Sequence, residues 1–96
     1  MAKTKLKPGS YVWIRCEVKP GPFSDERMVR VESTIGGVWL GFANASSLKD
    51  SVTVGATSIK ALVVSVQKDV LDAQPMGSGL TSTVFKEKVS KAQLVA

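Results

Sequence analysis

Residues Gly36–Asp50 read GGVWLGFANASSLKD, an apolar run holding a tryptophan, a glycine and a phenylalanine that gives way to small polar residues. As a strand, Val38, Leu40 and Phe42 share one face while Trp39 and Gly41 share the other. The richer aliphatic set is expected to face the core, which leaves Trp39 on the outer face. A glycine inside a strand gives up packing, and it belongs where a sheet bends sharply or accepts a close neighbour. The bend is the reading taken here, because a tightly curled small barrel needs one. Ala43–Ser47, short and polar, then suits a single helical turn or tight crossover, after which Leu48 plugs one end of the barrel.

The flanking sequence is written in the same period. From Ser10 to Val18 the chain alternates, with Val12, Ile14, Cys16 and Val18 on one side and Tyr11, Trp13, Arg15 and Glu17 on the other. That pattern predicts a half-buried strand. Lys19–Pro22 (KPGP) stops it, since proline cannot donate to a ladder and glycine permits the turn. Residues 27–33 (RMVRVES) form a second strand, Val29 and Val31 facing one way and Met28, Arg30 and Glu32 the other. Residues 34–37 (TIGG) are the turn into the Trp39 strand. Downstream, SVTVGATS is a loop or short strand, and IKALVVSV, apolar on both faces, is a covered central strand. Gln67–Asp69 turns it into VLDAQ, which ends at Pro75. MGSG is a flexible loop, LTSTVF another strand, and a polar tail finishes in a short strand at Gln93–Val95. The expectation is an all-β fold: one small antiparallel barrel of about six strands over residues 8–96, preceded by a basic flexible tail over residues 1–7. A faint echo links KPGSYVWIRCEV with TVGATSIKALVVSV, each placing a glycine and a small residue just before a long strand.

At VWLGFANASSL the chain resembles the Src-homology-3-like barrel superfamily. Trp39, Gly41, Phe42 and Leu48 fit its tryptophan-bearing strand, glycine–aromatic step, single helical turn and last strand. The loop VKPGPFSDE fits its early long loop. The resemblance spans roughly residues 8–66 and implies a barrel with an extension of about thirty residues. The family's acidic, tyrosine-rich segment and paired tryptophan are missing, and Ala43 and Ser47 stand where signalling members carry proline and tyrosine. An OB-type barrel is the alternative, since VVSVQKDVLDAQPMG resembles a hairpin of that class.

Ninety-six residues leave room for one core. Cys16 is the single cysteine, so no intrachain disulfide forms and a cytoplasmic location is expected. No apolar run approaches the roughly 20 residues of a membrane helix, and no signal-peptide pattern is read at the N-terminus. The net charge is +5. Between the ends, Arg15, Lys19, Arg27, Arg30, Lys49, Lys60 and Lys68 are matched one for one by Glu17, Asp25, Glu26, Glu32, Asp50, Asp69 and Asp72. The excess therefore lies in the terminal lysines, and solubilising ends explain it.

Catalytic equipment is sparse. The chain contains no histidine, which removes the usual proton shuttle and the commonest metal ligand. Cys16, beside Ile14 on the apolar face, reads as packed core. Asp25–Glu26 and Asp69 with Asp72 sit at turns, where aspartate commonly caps, and MGSG lacks the lysine and helix of a phosphate loop. The expectation is a protein that is not an enzyme, with no cofactor, no metal and no small-molecule substrate. The outward residues are more suggestive. Tyr11, Trp13, Arg15, Met28, Arg30 and Trp39 would make an aromatic–arginine patch of the composition found at protein-binding hot spots. The function expected is a non-enzymatic barrel module binding a protein or peptide, including by self-association. The alternative is a nucleic-acid or ribosome-associated barrel with lysine-rich terminal arms and aromatics that stack bases.

Overall fold

In the computed structural model, described for residues 6–80 and 83–95, the chain is all-β and antiparallel. Eight strands appear: β1 (Tyr11–Pro20), β2 (Glu26–Glu32), β3 (Val38–Asn44), β4 (Gly55–Gln67), β5 (Val70–Pro75), β6 (Ser78–Gly79), β7 (Phe85–Lys88) and β8 (Ala92–Leu94). They form one curled sheet in the order β6-β3-β2-β1-β4-β5-β7, with β8 also on β1. β4 runs along one edge of β1. On the opposite edge β2 pairs with residues 17–20 and β8 with residues 12–14, so both ends of the chain's path converge on β1. The sheet curls into a half-barrel around Val12, Ile14, Val31, Trp39, Ile59, Leu71 and their neighbours.

The alternation in β1 holds: Val12, Ile14, Cys16 and Val18 are buried and the intervening residues point outward. Leu48 caps the core and bridges Ile59, and the chain's last strand forms close to its expected place. Other expectations change, first the strand LTSTVF, of whose described residues only Phe85 is in a strand. The Ser78–Gly79 pair within MGSG is ordered as an edge strand against Gly41 and Phe42. Leu6 packs against the core, and residues 1–5 of the expected tail over residues 1–7 lie outside the described residues.

The largest change is in β3. Trp39 is only 1% exposed and belongs to the core with Ala43, whereas Val38, Leu40 and part of Phe42 face outward. The cause is the length of one loop. A four-residue turn over Thr34–Gly37 would set Ser33 opposite Val38 and Trp39 opposite outward-facing Glu32. Instead the Ser33 N–H donates to the Gly37 carbonyl at 3.0 Å, closing a three-residue loop over Thr34–Gly36. Gly36 (φ 108°) and Gly37 (φ 98°) supply the left-handed backbone that this loop requires. Val31 then pairs with Trp39 and Val29 with Gly41. A slip of one residue exchanges the two faces of a strand, and here it moved the tryptophan inside.

Gly41 does not mark a bend, since pairing with β2 runs unbroken from Val38 to Asn44. It marks a close approach. A Cβ there would lie 2.5 Å from Cη2 of Trp39 and would collide with the Ser78 carbonyl.

The two halves of the chain repeat one another. A constant shift of 44 residues carries the pairs Glu26↔Asn44, Met28↔Phe42 and Val29↔Gly41 onto Val70↔Lys88, Asp72↔Lys86 and Ala73↔Phe85. It also carries the 3₁₀ turn Ala45–Ser47 onto Val89–Lys91. The Ala45 N–H donates to the Asp25 carbonyl at 2.7 Å, and the Val89 N–H donates to the Asp69 carbonyl at the same distance. After each turn the chain crosses to the other half: Leu48 meets Ile59, and Ala92 pairs with Ile14. Ile14 and Ile59 are themselves partners, so a pseudo-twofold passes through the β1–β4 ladder. The faint sequence echo spans β1 and β4, but its glycines, Gly9 and Gly55, stand 46 residues apart and do not follow the shift of 44.

Candidate functional site

The inversion of β3 exposes an apolar surface. Phe42 and Leu40 stand on the outside of the sheet, cross-strand from Met28 and Arg30, which stand opposite Lys19 and Glu17 of β1. Val54, on the segment before β4, and Leu80, just after β6, close the sides. Together these residues line a groove of about 390 Å³ with Glu17, Lys19 and Arg30 among its lining. Met28 is 46% exposed, Leu40 39%, Val54 64% and Leu80 65%. These side chains make one contiguous apolar patch on the outer face.

Buried polar groups fix the walls. Arg27 faces the core side of β2, and its Nε donates to the Val52 carbonyl at 3.1 Å, anchoring the segment that carries Val54. Its Nη1 donates to the Ser24 and Glu26 carbonyls at 2.8 and 3.0 Å, so the buried guanidinium is met by backbone oxygens. The Leu80 N–H donates to the Leu40 carbonyl at 2.7 Å, holding the other wall to β3. The Glu87 carboxylate, 3% exposed, accepts from the Thr34 N–H at 3.2 Å and from the Lys88 N–H at 2.8 Å, with the Thr34 hydroxyl also donating to it. It ties the loop that sets the β3 register to β7. The indole N–H of Trp39 is buried with no acceptor among the described residues.

Of the six residues singled out in sequence, Met28 and Arg30 lie at the groove. Arg30 pairs with Glu32 at 2.8 Å, both well exposed. Tyr11, Trp13 and Arg15 stand further along the outer face of β1, over β4 and β8. Lys60 Nζ sits 4.8 Å above the Tyr11 ring, and Trp13 is half-buried between Lys60 and Gln93. Trp39 is not part of any surface. Leu40, Phe42, Val54 and Leu80 went unnoticed because the first two were assigned to the core, Val54 to a loop or short strand and Leu80 to the strand LTSTVF. The loop length before β3 was the signal that would have found Leu40 and Phe42.

Cys16 offers no chemistry. Burial, reinforced by the Glu17 charge beside it, pushes its thiol up to about 12, so it stays protonated and unreactive at neutral pH. Among the described residues no cluster of histidine, cysteine, aspartate or glutamate could hold a metal ion. No helix of the described residues is long and apolar enough to cross a membrane. Comparison with family models, curated proteins and solved structures finds no match for this chain.

Proposed function

We propose that this domain is a non-enzymatic binding module that takes an apolar segment of a protein into the groove between β1, β2 and β3. One observation carries the reading, and it comes from the internal repeat. The outward cross-strand pair Met28–Phe42 has as its counterpart in the second half the pair Asp72–Lys86. There Lys86 Nζ lies 2.8 Å from Asp72 Oδ1, with the Ser65 hydroxyl donating to Oδ2 at 3.0 Å. The Lys86 hydrogen bond holds the Asp72 carboxyl below its usual range. The fold thus accepts a solvated ion pair at this place. In the first half Met28 stays exposed and Phe42, beside β6, stays half-buried, which points to a partner that covers them.

The scaffold suits the role. β1, β2, β3, a 3₁₀ turn and a strand returning to β1 follow the order that the Src-homology-3-like resemblance implies, which supports a barrel-type binding domain. Repetition of that order in the second half lies outside the resemblance.

Selection of displayed random peptides on the immobilised domain tests the proposal, with sedimentation velocity reporting self-association. Selected peptides should share apolar anchors. Met28→Lys or Leu40→Lys should weaken them by on the order of 2 kcal/mol, the size of a hot-spot loss. Gln74→Lys, exposed on the other half, should leave them unchanged. Binding or self-association that ignores both groove substitutions would overturn the reading.

A further inference from the structure

A second surface, separate from the groove, carries a different chemistry. Where β1 meets β4 at the pseudo-twofold, Trp13 lies opposite Lys60 and Arg15 opposite Ser58 on the outer face. The turn Val89–Lys91 and β8 run alongside, so Trp13, Arg15, Ser58, Ser90, Lys91 and Gln93 enclose a recess of about 320 Å³. No carboxylate lines it. Neither Arg15 nor Lys91 makes an ion pair among the described residues, whose two salt bridges are Arg30–Glu32 and Lys86–Asp72. The acids nearest this face stand at its margins. Glu17 and Glu32 line the hollow that Arg15 shares with Arg30, and Asp50 lies beside Lys49 in the hollow beyond Ser58.

We infer that this recess binds single-stranded nucleic acid, with a base stacked on Trp13 and the flanking phosphates held by Arg15 and Lys91. Lys60 stands beside the stack. Base–aromatic stacking next to unpaired cations is how sequence-tolerant single-strand sites are built. Ser58, Ser90 and Gln93 add neutral donors of the kind that meet phosphate and base edges. Arg15 and Lys91 both sit on the folded domain, so this site does not depend on the lysines at the N-terminal end. Nor does it rest on the apolar groove, and each surface can fail without the other.

The test is titration of the full chain with a short oligouridylate and, in parallel, oligothymidylate, read by quenching of tryptophan emission. Trp39 is enclosed, so the quench reports Trp13. Two phosphate contacts predict a log–log salt slope of about −1.4, a loss of roughly sevenfold between about 50 and 200 mM salt. Arg15→Gln and Lys91→Gln should each flatten that slope by about 0.7. Read by the fluorescence anisotropy of an end-labelled oligonucleotide, since these variants lose the reporting tryptophan, Trp13→Leu should weaken binding about tenfold, and Trp13→Phe, which keeps a stacking face, should restore most of it. Gln74→Ala, exposed on β5 and in neither lining, should leave this binding unchanged. The inference is overturned by the absence of quenching at low salt, by binding that survives Arg15→Gln and Lys91→Gln but disappears on removing residues 1–5, or by inorganic polyphosphate binding as tightly as either oligonucleotide.

Discussion

Replacing Gly41 by alanine probes the part of the structure on which the groove depends. The new methyl group would sit 2.5 Å from Cη2 and 2.9 Å from Cζ2 of Trp39, and would collide with the Ser78 carbonyl. Neither neighbour can step aside cheaply. The Trp39 ring is enclosed by the core, and Ser78 is held by the β3–β6 pairing and the Leu80–Leu40 hydrogen bond. Overpacking of this kind costs about 1–3 kcal/mol, and loosening the β6 ladder adds about 1 kcal/mol. Against this, alanine stiffens the unfolded chain and returns about 0.5–1 kcal/mol. The balance is a loss of about 1–3.5 kcal/mol, or roughly 4–28 °C in Tm for a domain of this size. Urea denaturation with an unchanged m-value measures it. Trp39→Phe removes the two ring atoms that clash, so in a double-mutant cycle it should recover part of the loss. A Gly41→Ala protein as stable as the parent would refute the close approach, and with it the inward placement of Trp39.

Three further substitutions test the supporting structure. Glu87→Ala strands the Thr34 N–H and hydroxyl and should cost about 1–3 kcal/mol, with Glu87→Gln milder and amide exchange at Thr34 accelerated in both. Lys68 holds a left-handed backbone (φ 57°) in the two-residue turn between β4 and β5, so Lys68→Gly should raise stability by about 0.5–1 kcal/mol in urea. Cys16 makes stability fall at high pH: the unfolded thiol ionises near its usual 9.0 while the buried one holds its proton to about 12. Below pH 9 the group contributes no slope; between pH 9 and 12 the unfolded chain binds fewer protons, and stability should drop by up to about 1.4 kcal/mol per pH unit. Cys16→Val should lose that component of the slope, as measured by denaturation at stepped pH.

What the sequence disclosed, and what it hid, follows from how unlike the two faces of each strand are. In β1 the faces differ chemically, valine, isoleucine and cysteine against tyrosine, tryptophan, arginine and glutamate, so alternation alone orients the strand. In β3 both faces are apolar, and periodicity cannot choose between Val38–Leu40–Phe42 and Trp39–Gly41–Ala43. The choice is made outside the strand, by whether Gly37 joins the loop or the ladder. β6 carries no strand signal because Ser78–Gly79 pairs by fitting against Gly41. Arg27 and Glu87 read as surface charges, yet backbone partners far along the chain or beside them bury both. Met28 and Arg30 were legible as outward residues of a clean alternation. Leu40 and Phe42 were not, since an exposed aliphatic strand face contradicts the usual rule and is explained only by a partner. The repeat was not legible, because Met28–Phe42 and Asp72–Lys86 occupy equivalent positions with unrelated chemistry and the echoed glycines are spaced by 46 residues, not 44.

The placement of Trp39 decides whether the groove exists, and it can be measured alone. In a Trp13→Phe protein the only tryptophan left is Trp39. Its emission should be blue-shifted and nearly untouched by iodide until denaturant unfolds the chain, because the ring is enclosed and Leu40 and Phe42 occupy the outside. Red-shifted emission that iodide quenches freely in the native state would put Trp39 on the surface, return Leu40 and Phe42 to the core, and remove the apolar groove.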